Sequence, residues 1–287
     1  MQRELTVDGH RLVALETNPD NTSEPTILLH GFTHSPAFWR TDPVFAAIGP
    51  SYALTLPGHR PGAFPPGMRG EQLTAELLAQ VLSGAIRQLI GVTPATLVGF
   101  STGAFAALAI AAYQPGLARR IVSISGFAQG RWTGGLGLHQ HLVRLGPPGR
   151  ALSRALIRPS QASTQSFRQI FDYFVVDRAG FQAYPQLDQL LCDLYGPWRD
   201  TDLADMQIYY YAMAGLDISP LLAQIQAPTL ALTGDRDPIV PPDQSRLIAS
   251  QVPRGDLEVI SGAGHILVAE RTAEYTRILQ SWLARTR

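Results

Sequence analysis

Gly99-Phe100-Ser101-Thr102-Gly103 lies between an apolar run, Ala95 to Val98, and a run of small residues, Ala104 to Tyr113. Flanked in this way, the five residues read as a sharp turn from a buried strand into a helix. A Gly-x-Ser-x-Gly turn of this kind lifts its serine hydroxyl clear of the sheet. Pro94-Ala95-Thr96-Leu97-Val98 supplies the strand, and Ala104 to Ala112 supplies a helix that Pro115-Gly116 ends. Glycines two residues to either side of Ser101 leave room for strand and helix to close on the turn. The plainer alternative is a turn whose serine merely caps the helix. A chain with 26 glycines produces such matches by chance, so partners elsewhere in the sequence must decide.

Working outward, Thr26 to Leu29 and Tyr52 to Leu56 are further short apolar runs, followed by His30-Gly31-Phe32 and Pro57-Gly58-His59. Continuous runs of this length suit strands buried on both faces, hence a parallel sheet covered by helices. Ile121 to Ser125, Thr229 to Thr233 and Leu257 to Ile260 repeat the pattern, and Leu5 to Val7 with Arg11 to Leu15 reads as an antiparallel hairpin turning at Asp8-Gly9-His10. Helices are expected over Glu71 to Leu89, Leu187 to Tyr195 and Thr272 to Ala284. Residues 130–214 show no buried-strand pattern. They read as a helical cap inserted over the carboxyl edge of the sheet, with 1–129 and 215–287 forming the core; the fold class is α/β with a mostly parallel sheet.

A chain of 287 residues with 45% hydrophobic content supplies a sizeable core, and its formal net charge of zero gives no global attraction to nucleic acid or an anionic membrane. All 23 basic residues are arginine, which removes lysine Schiff-base chemistry and a phosphate-loop lysine together. Cys192 is the only cysteine, so an intrachain disulfide and a cysteine-rich zinc site are both impossible; it reads as a small buried side chain. Acidic residues near the N-terminus stand where a signal peptide needs an apolar core, and no run approaches a membrane span. A cytoplasmic location is the expectation.

A serine hydroxyl needs a base, usually a histidine oriented by a carboxylate. Two later strand ends offer both: Gly234-Asp235-Arg236-Asp237 with Val240-Pro241, then Gly262-Ala263-Gly264-His265. Together with His30-Gly31-Phe32 and the Gly99 to Gly103 turn, these segments resemble the α/β-hydrolase superfamily over nearly the whole chain. The resemblance implies Ser101 as nucleophile, His265 as base and Asp237 as the acid, with Asp235 as runner-up capping the loop. It also implies an oxyanion hole from the backbone N–H groups of Phe32 and Thr102, with His30 organising its loop. His34, His59, His139 and His141 receive no role and are expected to be exposed.

The activity implied is a serine hydrolase acting on a carboxylic ester or related small acyl substrate, with no cofactor and no metal. Carbon–carbon hydrolysis or a lyase reaction with the same three residues is an alternative, as is a binding protein without catalysis. The menaquinone-pathway synthase branch shares His30-Gly31-Phe32, Trp39 and Pro57-Gly58-His59, but Ala104-Phe105 stand where it has Gly-Arg. Thr55 likewise replaces an aspartate common before the Pro-Gly turn. In the cap, Arg150, Arg154 and Arg158 recur every four residues and, with Arg131, Arg144, Arg168 and Arg178, make it locally basic. That row reads either as a solvated face or as an attraction for an anionic substrate or protein partner. The cap aromatics Phe167, Phe171, Tyr173, Phe174, Phe181, Tyr184, Tyr195, Trp198 and Tyr209 to Tyr211 suit an apolar acyl pocket or the packing of the cap itself.

Overall fold

The computed structural model describes residues 1–19 and 23–286. Strand β1 (Gln2–Val7) turns at Asp8 and Gly9, both at positive φ, into β2 (His10–Thr17), and the two pair antiparallel from Gln2 opposite Leu15 to Val7 opposite His10. Two residues at positive φ match the twist of the strands they join, which is why Asp-Gly closes the hairpin. Next come β3 (Thr26–Leu29) and β4 (Ser51–Leu54), buried at every position, as continuous apolar runs require. Strand β4 stops two residues short of the expected Leu56 because the Leu56 amide donates to His30 Nε2 instead of to a strand. Helix α1 (Ala75–Ile90) starts after Thr74, whose hydroxyl accepts the Leu77 amide at 3.0 Å, four residues later than the apolar spacing suggests.

Strand β5 (Ala95–Phe100), helix α2 (Thr102–Tyr113) and strand β6 (Ala118–Ile124) follow. From there to β7 (Thr229–Gly234) the named regular elements are helical: α3 (Gly134–Arg144), α4 (Pro147–Ile157), α5 (Thr164–Phe171), α6 (Arg178–Gln182), α7 (Leu187–Arg199) and α8 (Leu203–Met213), with short 3-10 turns between and after them. The chain closes with α9 (Pro242–Gln251), β8 (Gly255–Ile260), α10 (Leu267–Glu270) and α11 (Thr272–Arg285). Helix α9 lies in a stretch with no apolar stripe, and it buries only Ser245 and Ile248. Cys192 is exposed, contrary to expectation. Helix α7 buries Leu187, Leu190, Leu191, Leu194 and Trp198, and position 192 falls on its other side.

The eight strands form one sheet in the order β1-β2-β4-β3-β5-β6-β7-β8, parallel from β4 to β8. The chain runs from β3 outward to β4 and then returns to the other side of β3 as β5, so strand order reverses between β3 and β5. Ligands of open α/β sheets bind beyond the carboxyl ends at such a reversal. Leu29 pairs with Gly99, so the segments after β3 and β5 leave the sheet side by side. Further registers carry that edge across: the Ser101 amide donates to the Ile124 carbonyl, that of Ser125 to Leu232, and that of Asp235 to Ile260.

Two glycines allow the turn after β5. A Cβ on Gly103 would fall on the Leu29 carbonyl, and one on Gly99 would fall on the backbone of Gly103 and Ala104. Backbone cannot retreat as a side-chain tip can. Gly103→Ala is therefore expected to lower unfolding stability by about 1–3 kcal/mol, the usual cost of overpacking. Chemical denaturation measures this, and an unchanged midpoint at constant m-value would contradict so close an approach.

Candidate active site

Ser101 sits between β5 and α2 with φ +52° and ψ −115°, a conformation that costs a non-glycine residue on the order of 1–3 kcal/mol. Its carbonyl accepts the amides of Ala104 and Phe105, so the turn is locked directly into the first turn of the helix. Thr102 is the first residue of α2, and its N–H therefore has no intrahelical acceptor.

Asp237 and His265 are brought into contact. His265 Nδ1 lies 2.6 Å from Asp237 Oδ2, and both side chains are buried. Asp237 Oδ1 accepts the amides of Ile239 and Val240 at 2.8 and 2.9 Å, which fixes the carboxyl plane. A carboxylate only accepts, so the shared proton belongs to His265 Nδ1, and in the neutral ring Nε2 then carries the lone pair. Asp235 takes the other part foreseen for it. It is exposed, and it accepts the Gly262 amide at 2.7 Å and the Ser261 hydroxyl at 3.2 Å, tying the two loops together. Ser101 joins the pair through its neighbour Phe100, whose ring centroid is 5.0 Å from that of His265. Among the described residues, Ser101 and His265 make no direct side-chain hydrogen bond with each other.

The loop after β3 is held by two histidines. His30 Nδ1 donates to the Gly31 carbonyl at 2.8 Å while Nε2 accepts from Leu56, in keeping with a loop-organising role. His59, expected to be exposed, is buried, and its Nε2 lies 2.6 Å from the Phe32 carbonyl. Burial pushes its pKa down to about 4, so its single ring proton serves that shorter contact. The Phe32 ring packs among Tyr210, Trp132 and Tyr209, with centroids 4.8, 5.1 and 5.6 Å away, which fastens the β3 loop beneath the helical segment. His34 is buried as well, against Phe38, Phe100 and Phe171; burial, aided by His265 and His59, pushes its pKa down to about 3. His139 is partly buried with Nδ1 2.9 Å from the Ser153 hydroxyl, and His141 alone of the four is exposed.

Glu270 is the residue that motif reading misses. Its buried carboxylate accepts four amides: Gly264, Val176 and Asp177 on Oε2 at 2.9, 2.8 and 2.8 Å, and Ile266 on Oε1 at 3.0 Å. These bonds bracket His265 on both sides and tie it to the segment between α5 and α6. The His265 amide adds a bond to the Phe174 carbonyl at 2.8 Å, and its carbonyl accepts the Ser125 hydroxyl at 2.9 Å. One signal was present in the sequence: a single acid at the end of the apolar run Ile266 to Ala269.

Two outcomes follow from this packing. Glu270→Gln sets an NH2 donor against amide donors and orphans at least one of them, a loss of about 1–3 kcal/mol. Hydrogen exchange at Gly264, Ile266, Val176 and Asp177 should accelerate by roughly tenfold or more, and unchanged protection would show that the carboxylate does not hold them. The buried histidines give a pH signature. Folded His59 and His34 take up a proton only near pH 4 and 3, against 6.5 for an ordinary imidazole. The unfolded chain then binds more protons within that window, and stability falls as pH drops from 6.5 towards 4. Thermal melts of His59→Gln should show a shallower loss across that window than the parent; equal slopes would exclude His59 as a contributor.

The chain matches the Alpha/beta hydrolase family over residues 26–278. It is 34% identical over 84 residues to the poly(3-hydroxyalkanoate) depolymerase of Ectopseudomonas oleovorans, a match that spans 29% of each protein. A longer match, 29% identical over 218 residues, covers 75% of this chain and 74% of the pyrrolizixenacetamide deacetylase of Xenorhabdus hominickii. Among solved structures, a thermophilic esterase from Thermogutta terrifontis superposes with a TM-score of 0.76 at 19% identity, covering 100% of this chain and 99% of that one. The family match takes in strands β3 to β8 and the segments that carry Phe32, Ser101, Asp237 and His265; the chain belongs to the alpha/beta hydrolase family.

Proposed function

We propose that this protein is a serine hydrolase that cleaves a carboxylic ester or related acyl substrate through an acyl-enzyme, with Ser101 as nucleophile, His265 as base and Asp237 as the group that orients it. The observation that carries the reading is the 2.6 Å contact of Asp237 with His265 Nδ1, which leaves Nε2 as a proton acceptor on the sheet edge that carries strained Ser101. In the first half-reaction Nε2 takes the Ser101 proton, Oγ bonds to the carbonyl carbon, and the oxyanion is met by the amides of Phe32 and Thr102. His265 then gives the proton to the leaving oxygen as its bond to carbon breaks. Water, deprotonated by Nε2, releases the acid and restores Ser101. The Ser101 to His265 bond forms when substrate fills the site, as hydrogen bonds of this kind tighten in the Michaelis complex.

Residues 130–214 act as the cap in this reading. Beneath them lies a cavity of about 470 Å³, bounded in part by Thr33, Leu136, Ile157, Phe174, Tyr210 and Ile239. Three of these touch the proposed machinery: Thr33 follows Phe32, the Phe174 carbonyl accepts from His265, and the Ile239 amide donates to Asp237. Among the described residues no arginine lines the cavity, and the only potentially cationic side chain there is His139, which burial holds below its ordinary pKa. An apolar acyl group therefore fits, and an anionic one does not. Carbon–carbon hydrolysis is the second reading, since the 2-hydroxy-6-oxononadienedioate/2-hydroxy-6-oxononatrienedioate hydrolase 2 of Pseudomonas putida is 24% identical over 267 residues. A dioate would bring carboxylates into a cavity without a cation, which favours the ester.

A series of esters with one activated leaving group tests both parts. Ser101→Ala should lower kcat/KM by at least ~10³-fold. For the parent, kcat/KM should rise by up to about fourfold per added methylene, the value of burying a CH2, until the cavity is filled. A terminal carboxylate on the acyl chain should reverse that gain. Undiminished turnover by pure Ser101→Ala would overturn the mechanism, and preference for the carboxylate would overturn the apolar pocket.

A further inference from the structure

The charge of the helical segment is divided by sequence position. Between residues 130 and 171 stand Arg131, Arg144, Arg150, Arg154, Arg158 and Arg168, with no aspartate or glutamate; residues 172–214 hold seven aspartates and two arginines. Among the described residues, none of those six arginines is in ion-pair contact with a carboxylate. Arg144 and Arg150 donate to the carbonyls of Tyr211 and Val143, and Arg150 and Arg154 share a recess with Glu71 and Asp205 without closing an ion pair on either. All but Arg168 are exposed.

Large apolar side chains are exposed among them. Helix α4 buries only Gly149, Ser153 and Ile157, a stripe one residue wide, with Arg150, Arg154 and Arg158 on one flank of it and Leu152 and Leu156, half exposed, on the other. Leu138 and Leu145, at α3 and its end, are 50% and 59% exposed, and Tyr173 is 76% exposed. Single exposed leucines are ordinary, but five large apolar residues on one basic segment are a contact surface. Leu138, Leu156 and Tyr173 also line the apolar cavity of about 470 Å³, so the apolar part of this surface is continuous with it.

We propose that this face, residues 131–173, docks on an anionic lipid bilayer, with the leucines and Tyr173 entering the boundary between headgroups and acyl chains and the arginines meeting lipid phosphates. Arginine on the polar side and leucine on the other is the composition that holds a helix in the plane of a membrane interface. Docking is peripheral, since no helix among the described residues is long and apolar enough to cross a membrane. A second copy of the chain fits the face poorly. Closed two-fold dimers join identical patches, which would set six arginines against six. The proposal goes beyond the hydrolase reading, because docking requires no turnover.

The test uses the full chain carrying Ser101→Ala, so that binding is read without hydrolysis. It is sedimented with phosphatidylcholine vesicles, with and without phosphatidylglycerol, at low and high salt. Sedimentation is expected only with phosphatidylglycerol, and salt should reverse it. Adding Arg150→Gln, Arg154→Gln and Arg158→Gln should weaken partitioning on the order of a hundredfold, from the contribution of each arginine near an anionic surface. Adding Leu145→Ser and Leu152→Ser instead should weaken it at unchanged charge. Circular dichroism and the melting temperature verify that each variant is folded. Failure of the Ser101→Ala protein to sediment with phosphatidylglycerol, or undiminished binding by the folded arginine variant, overturns the proposal. So does a concentration-dependent dimer that the leucine substitutions abolish while vesicles are ignored, which would give the face to a second copy.

Discussion

The approach of α2 to the end of β3 is the constraint on which the site rests. Parallel pairing aligns Leu29 with Gly99, and the backbone of Gly103 then lies against the Leu29 carbonyl with no space for a Cβ. A chain that must turn from strand to helix within so small a gap cannot keep Ser101 at ordinary dihedral angles. The positive φ at Ser101 is thus a product of backbone proximity, stabilised by the helix that begins immediately after it. The same proximity sets the Phe32 segment beside the start of α2.

Buried charge and neutral imidazole divide the remaining work. Asp237 and Glu270 are each held by backbone amides on both oxygens or on one, so each can stay buried without an ion-pair partner of opposite fixed charge. One orients the His265 ring, and the other secures the backbone around it. The four bonds to Glu270 also make the segment from Phe174 to Asp177 a neighbour of His265, so the cavity wall and the proposed base share one support. His30 and His59 do for the β3 loop what Glu270 does for the histidine loop. Each uses a neutral ring as a connector between main-chain groups.

What was legible in the sequence follows from range. Six continuous apolar runs and one alternating hairpin mark the eight strands, most plainly β3, β4, β5 and β7, which are buried at every position, and the Gly-x-Ser-x-Gly and Gly-x-Gly-His turns are local by construction. Asp237 contacts His265 and Asp235 contacts Gly262, and only a family pattern separates the two in sequence, since two carboxylates two residues apart look alike in composition. His59, Glu270 and Cys192 carry no such mark for a common reason. Their surroundings are set by partners 27 and up to 94 residues distant, or by which side of a helix faces the core, and no neighbouring residue encodes that. Polar side chains that serve distant backbone are indistinguishable in sequence from polar side chains that serve water.

Whole-chain neutrality has the same weakness. A formal charge of zero gives no attraction to an anionic surface only where the charges are uniformly distributed. Screening confines each charge to a range of about 10 Å at moderate salt, so a surface responds to the residues that share it and not to the sum over the molecule. Six arginines without an acid in 42 residues, followed by seven aspartates in the next 43, cancel on paper, yet among the described residues no ion pair joins the two sets, and Asp205 only shares a recess with Arg150 and Arg154. The leucines make the basic half the consequential one. Charge alone can be solvated indefinitely, whereas exposed apolar area beside the mouth of an apolar cavity gains free energy only by leaving water, and it would leave water at the same surface that holds apolar acyl chains.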